Sequence, residues 1–266
     1  MWIDADGLVN LRDVGGIPTT DGQAIAAGRL LRSDNLQSLT EADVATLLGR
    51  GLSDVVDLRS DYEAEMEGPT ALTGHPEVSI HQLSLFREWR EGVGEAKPEP
   101  EEDRPEALPK EALPWVDLEP SVELGNDVAS HYLSYLVDRP DSVITALRVI
   151  ADAPGATLVH CAAGKDRTGT IVALALTLAG ADRAAVIADY AASSERMQAI
   201  VDRLMTSATY ADNLRDRPLS SHLVYAETMQ FLLDHLDDQF GGVEAFLIPH
   251  GWTAEDTARL RRKLLD

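Results

Sequence analysis

The chain has 266 residues, 44% of them hydrophobic and 26% charged, which suits one soluble α/β domain with a full core over residues 1–266. Against 45 acidic residues stand 23 basic ones, a formal net charge of −22 that disfavours nucleic acid and anionic membranes as partners. One cysteine excludes an internal disulfide framework and a cysteine-based zinc cluster, and the lack of any apolar run of about eighteen residues argues against an integral membrane segment.

In chain order, the opening MWIDADGLVNLRD has no basic stretch followed by an apolar one, so no conventional signal peptide is expected. With a lone cysteine that a reducing compartment would keep as a thiol, this reads as a cytoplasmic protein; unconventional export and oligomeric state stay open. Asn10–Gly16 (NLRDVGG) precedes a polar turn, and Arg29–Arg32 reads as a short strand. Thr40, with Asp43 three residues later and Gly51 beyond, brackets a helix. Ser53–Ser60 (SDVVDLRS) reads as a buried parallel strand and Val78–Leu85 as another.

From about Gly92 to Pro120 the chain is rich in proline and glutamate and lacks periodicity, as expected of a mobile acidic loop in which Trp115 docks elsewhere on the protein. Pro140 starts a helix whose stripe is Val143, Ile144, Leu147 and Ile150, ended by Pro154-Gly155. A strand at Thr157–His160 runs into a glycine-bearing loop and then, from about Thr168, a helix apolar on every side and hence central. Met197, Ile200, Val201, Leu204 and Met205 form a one-sided stripe within a helical segment of about 193–240, a candidate lid or plain core. Leu223–Phe240 and Ala254–Leu265 give further amphipathic helices. Strands alternating with helices, then helices alone, predict a mostly parallel central sheet flanked by helices, with a helical C-terminal third.

The informative run is TLVHCAAGKDRTG. A chain bent between a strand end and a helix start aims backbone N–H groups into a concavity fit for a tetrahedral oxyanion. Nearby positive potential favours the thiolate of Cys161, and Arg167 supplies a planar fork for two oxygens. Alone, Cys161 would read as a small buried hydrophobe; its surroundings favour catalysis.

His160, Cys161, Gly164, Lys165, Asp166, Arg167, Thr168 and Gly169 together resemble the signature loop of the cysteine-dependent tyrosine and dual-specificity phosphatases, in the bacterial and fungal form that carries Lys-Asp before the arginine. NLRDVGG and GRLLRSDNL resemble the amino-terminal part of the same branch, which brings Arg12 and Asp13 in as supporting residues. A rhodanese-like sulfur carrier also places a cysteine after a parallel strand, but its loop does not demand this continuation.

The resemblance implies a phosphomonoester hydrolase acting through a phosphocysteine, with no metal or other cofactor. Cys161 is the implied nucleophile, and Ala162, Ala163, Gly164, Lys165, Asp166 and Arg167 bind the phosphoryl group. Thr168 bonds the sulfur, and His160 orients the cysteine. Asp57 and Arg59, at a strand end, are read as pointing into the same cleft. For the general acid, the stretch after Val78–Leu85 reads LFREWREG with no aspartate. The choice is therefore Asp166, with Glu88 as the alternative. Lys165 as a second loop cation leaves the partner open between a phosphorylated protein and a phosphoinositide. The rivals are a phosphoinositide-selective phosphatase and a phospho-ligand-binding pseudophosphatase.

Overall fold

The structure is a computed structural model that describes residues 1–86 and 120–266. Most of the acidic segment, with Glu88 and Trp115, lies outside the described residues. Five strands form one sheet in the order β1-β2-β5-β3-β4: β1 Arg12–Asp13, β2 Leu30–Ser33, β3 Leu52–Asp57, β4 Ser79–Gln82 and β5 Ala156–His160. Only β1 is antiparallel to its neighbour; the other pairings are parallel. The mostly parallel α/β architecture with a helical C-terminal part is as the sequence predicts.

The two-residue period of the strands builds two cores. Leu31, Val55 and Leu158 point to one face, where they meet Leu36, Leu47 and Leu72. Leu30, Val56 and Val159 point to the other and meet the larger helical layer. In that layer α5 (Asp166–Ala179) is almost wholly buried, flanked by α3 (Asp127–Asp138), α4 (Pro140–Asp152) and α11 (Ala254–Leu265). α1 (Glu41–Gly49) has the predicted cap: Thr40 Oγ1 accepts from Asp43 N, and Asp43 Oδ2 accepts from Thr40 N.

Several boundaries differ for identifiable reasons. β3 stops at Asp57 because the Asp57 carboxylate turns the chain by accepting from Arg59 N at 3.0 Å, and Ser60 then caps α2 (Asp61–Glu67). β4 is shorter than Val78–Leu85 and, among the described residues, pairs on one side only. α5 begins at Asp166 rather than Thr168, and α9 at Ala226 rather than Leu223 (Ala226–Phe240). The sequence pattern does not predict α2, α3, α6 (Arg183–Ala192) or α10 (Val243–Leu247); α7 (Met197–Leu204) and α8 (Ala208–Leu214) fall within the helical segment expected over about 193–240. Among the described residues no helix is long and apolar enough to cross a membrane.

β5 is the central strand, so Cys161 emerges at its carboxyl end over the middle of the sheet, where open α/β sheets bind ligands.

Candidate active site

Residues 161–165 form a loop between β5 and α5, and its conformation is imposed from outside. Gly164 has φ of +68°, and a Cβ there would sit 2.3 Å from the Ser33 carbonyl oxygen. Only glycine fits. The carbonyls of Ala162, Ala163 and Gly164 all accept hydrogen bonds from the surrounding protein. Asn35 N donates to the first at 2.9 Å, and Asn10 Nδ2 to the second and third at 2.9 and 3.1 Å. Arg32 Nη2 also donates to the Gly164 carbonyl at 2.8 Å. Carbonyls pinned outward turn the peptide N–H groups inward, toward the concavity at the start of α5.

A buried ion-pair network holds those pins. Asp189 on α6 pairs with Arg12 at 2.9 Å and with Arg32 at 2.5 Å, and Arg12 Nη1 donates to Asn10 Oδ1 at 2.6 Å. Arg12 thus supports the loop through Asn10. Asp13 does not reach the site: its carboxylate accepts from Gly15 N and Gly28 N at 2.8 and 2.7 Å and closes a turn. This corrects the supporting role expected of Asp13. Alternation along β1 explains it, since the neighbouring side chains of Arg12 and Asp13 point to opposite faces.

Arg167 is buried and held by Glu63, whose side chain is fully buried on α2. Nη1 donates to Glu63 Oε2 at 2.5 Å and to the Leu58 carbonyl at 3.3 Å, while Nη2 donates to Glu63 Oε1 at 2.9 Å. Of the five N–H bonds of a guanidinium, this leaves Nε–H and one on Nη2 without a partner among the described residues. Those two lie side by side along one edge, a fork that matches two oxygens of a phosphoryl group. The Phe86 ring lies 4.7 Å under the guanidinium carbon, and Glu63 holds Arg167 protonated despite burial.

Glu63 is also the third residue of the α2 capping box, accepting from Ser60 N at 2.7 Å. One carboxylate therefore joins a helix start to the arginine. Its signal in the sequence was the Ser-x-x-Glu of SDYE.

Asp166 and Lys165 line the cavity over Cys161. Asp166 Oδ1 accepts a hydrogen bond from the Tyr132 hydroxyl, and Oδ2 lies 3.6 Å from Lys165 Nζ. The Lys165 ammonium donates to the His222 carbonyl at 2.7 Å. Thr168 is fully buried in the first turn of α5, and its hydroxyl has no hydrogen-bond partner among the described residues. The bond to sulfur expected of it is not formed here.

His160 Nδ1 lies 3.3 Å from the Cys161 carbonyl oxygen and Nε2 lies 3.5 Å from Asp57 Oδ2. Burial pushes the imidazole down to about 4 against the pull of Asp57, so it is neutral near pH 7. Asp57 and Arg59 pair with each other at 2.6 Å. They do not line the Cys161 cavity as the sequence reading had them. They face a separate cavity of about 130 Å³ with Val55, Thr70 and Gln82, because strand alternation sends Asp57 to the Val55 face of the sheet and the ion pair holds Arg59 beside it.

Opposite the loop stands an apolar wall: Met197, Ile200, Val201 and Leu204 of α7, with Leu214 of α8 and His222 beyond. Arg203 anchors α7 by donating to the Asp34 carboxylate and to the Asn35 carbonyl. Ser207 donates to Glu67 on α2. The space between loop and wall is about 30 Å³, and Cys161 is 2% exposed. That volume holds about one water molecule.

A strand, an oxyanion-shaped loop with a cysteine and an arginine at its ends, and a central helix define the phosphate site of a cysteine-loop hydrolase. The sequence matches, over residues 3–266, the model of a family described as tyrosine phosphatase family. The chain belongs to that family, and it is an enzyme of the tyrosine or dual-specificity phosphatase class. It is 29% identical over 276 residues to "Triple specificity protein phosphatase PtpB" of Mycobacterium tuberculosis, with 97% of each chain covered. It is 28% identical over 253 residues to "Tyrosine-protein phosphatase" of Nostoc commune, covering 93% of this chain and 78% of that one.

Proposed function

We propose that the chain removes phosphate from phosphotyrosine, and from phosphoserine and phosphothreonine, in proteins by way of a phosphocysteine at Cys161. The observation that carries this reading is the pair of Arg167 N–H bonds without a partner among the described residues, next to a loop whose Ala162, Ala163 and Gly164 carbonyls are engaged elsewhere. The mycobacterial relative, named a triple specificity protein phosphatase, supports a specificity wider than a single class of phosphate ester.

In the first step the Cys161 thiolate attacks phosphorus in line with the leaving oxygen. The S–P bond forms, the P–O bond breaks, and Asp166 gives its proton to the departing oxygen. Arg167 and the loop amides hold the three equatorial oxygens throughout. In the second step the Asp166 carboxylate takes a proton from a water that attacks phosphorus, and the thiolate leaves. Thr168, whose hydroxyl has no partner among the described residues, would turn it to the sulfur as that charge returns. No step requires a metal. The alternative acid Glu88 lies outside the described residues.

The phosphoinositide reading rests on Lys165 as a second cation on the loop. Its ammonium is engaged by the His222 carbonyl and lies near Asp166, so we keep the phosphoprotein reading. The segment from α7 to His222 acts as a lid, because phosphoprotein cannot enter a space of about 30 Å³. The need to keep the Cys161 thiol reduced supports a cytoplasmic location. Release of phosphate from matched phosphotyrosine, phosphoserine and phosphothreonine peptides and from phosphoinositides tests this. Turnover of the peptides is expected; turnover of lipids alone would overturn the reading.

A further inference from the structure

The acid assigned above does not stand alone. Tyr132 on α3 and Tyr190 on α6 are 99% buried, and their hydroxyl oxygens lie 2.8 Å apart. Tyr132 donates its one proton to Asp166 Oδ1, so the proton between the two phenols must belong to Tyr190. Two buried phenols thus end, in one direction, on one oxygen of one carboxylate.

We propose that Tyr132, backed by Tyr190, is a positioning residue for proton transfer by Asp166, and that it thereby sets how well the enzyme handles poor leaving groups. The proposal rests on the reading of Asp166 as the acid. A carboxylate at the start of a helix can rotate about its terminal torsion, which is broad and roughly two-fold. Occupying Oδ1 with a phenol fixes that rotation. It leaves Oδ2, the oxygen on the Lys165 side, to carry and deliver the proton.

Geometry joins this to the anion fork. Tyr132 stacks on Tyr135 with centroids 6.0 Å apart, Tyr135 meets Phe86 edge-on at 5.8 Å, and Phe86 lies under Arg167. One aromatic row therefore backs both the proton donor and the phosphoryl fork. Burial also raises both phenols well above their ordinary range, so they remain protonated donors across the working pH.

The chemistry decides what the positioning affects. An aryl oxide with a low pKa leaves without a full proton, whereas the alkoxide of phosphoserine does not. Losing a well-placed proton should therefore hurt alkyl substrates most. The parameter to follow is kcat/KM, which reports the step that forms phosphocysteine; kcat also contains its hydrolysis, common to all substrates.

The test measures kcat/KM for Tyr132→Phe, Asp166→Asn and the double variant on a series running from p-nitrophenyl phosphate to phosphoserine peptide. Tyr132→Phe removes one oxygen and keeps the ring packing, and thermal unfolding checks that it folds. The expected result is a loss of about threefold on p-nitrophenyl phosphate and about thirtyfold on phosphoserine, of the size seen when a general acid is partly disabled. In the Asp166→Asn background that selective loss should vanish, since the phenol then has no proton donor to position. An equal loss on all substrates, or a selective loss that persists beside Asp166→Asn, would overturn the role of Tyr132. If Asp166→Asn alone shows no dependence on the leaving group, the acid assignment fails first, and the proposal with it.

Discussion

Replacing Glu63 by glutamine changes one oxygen into NH2 at the point where a helix cap and the site arginine meet. The carboxylate now accepts at 2.5 and 2.9 Å from Arg167 and at 2.7 Å from Ser60 N. In its best orientation the amide oxygen keeps the Oε2 partners, while its NH2 faces the Arg167 Nη2–H. Arg167 remains charged and buried without a counter-ion. Breaking such a pair costs about 3–5 kcal/mol, and the retained acceptor places this variant near the low end, about 3 kcal/mol. For a chain of this size that lowers Tm by roughly 6–12 °C. The released guanidinium no longer presents its fork squarely, so kcat/KM on p-nitrophenyl phosphate should fall by about a hundredfold, the scale of a misplacement of roughly 1 Å. Inorganic phosphate should inhibit more weakly as well. Ser60→Ala is the control: it loses a cap worth about 1 kcal/mol and leaves Arg167 paired. A Glu63→Gln enzyme with Tm within about 2 °C of wild type, a shift of under 1 kcal/mol, and unaltered kcat/KM would refute the argument.

Gly164→Ala forces a Cβ to 2.3 Å from the Ser33 carbonyl at a φ of +68°; loss of phosphate binding with a stability cost of at least about 2 kcal/mol is expected, and intact phosphate inhibition would contradict it. His160 has its folded-state pKa lowered to about 4 from an ordinary 6.5. Its contribution is therefore present above pH 6.5 and is lost as pH falls toward 4, because the unfolded chain takes up the proton first. Urea unfolding should show a loss of about 2 kcal/mol between pH 7 and 4.5 that His160→Asn lacks; parallel pH profiles for both proteins would exclude the imidazole as the source. Arg203→Ala releases the tie from α7 to Asp34 and Asn35, and should raise kcat/KM on a bulky phosphopeptide by about threefold or more by shifting the lid toward open. An equal fall on peptide and aryl phosphate would instead make Arg203 a support of the loop.

What the sequence revealed follows from which interactions are local. The loop could be read because His160 to Gly169 is contiguous and its chemistry depends on spacing along one bend. The helix of Ala254–Leu265 was legible to the residue, having a threonine cap and a clean apolar stripe. Glu63, Asn10, Asp189 and Tyr132 were not. Each reaches the site across the fold, by 104 positions of chain for Glu63 to Arg167 and 34 for Tyr132 to Asp166. Their partners are set by how helices pack on the sheet and not by any pattern in their own segment. Asp57 and Arg59 failed for a different reason: strand alternation puts Asp57 on the Val55 face of the sheet, and the turn closed by Asp57 on Arg59 N keeps Arg59 beside it. Thr168 lies where the motif puts it, yet its hydroxyl has no partner among the described residues, a detail of rotamer and not of position.

The central claim is a covalent one, and it is tested by rapid acid quench during turnover of an aryl phosphate, followed by mass analysis of the peptide that contains Cys161. The account predicts one phosphoryl group on the Cys161 sulfur in the wild-type enzyme, and none, with no turnover but with phosphate-ligand binding retained, in Cys161→Ser. Continued hydrolysis by Cys161→Ser, or a phosphoryl group found on any other residue, would contradict it.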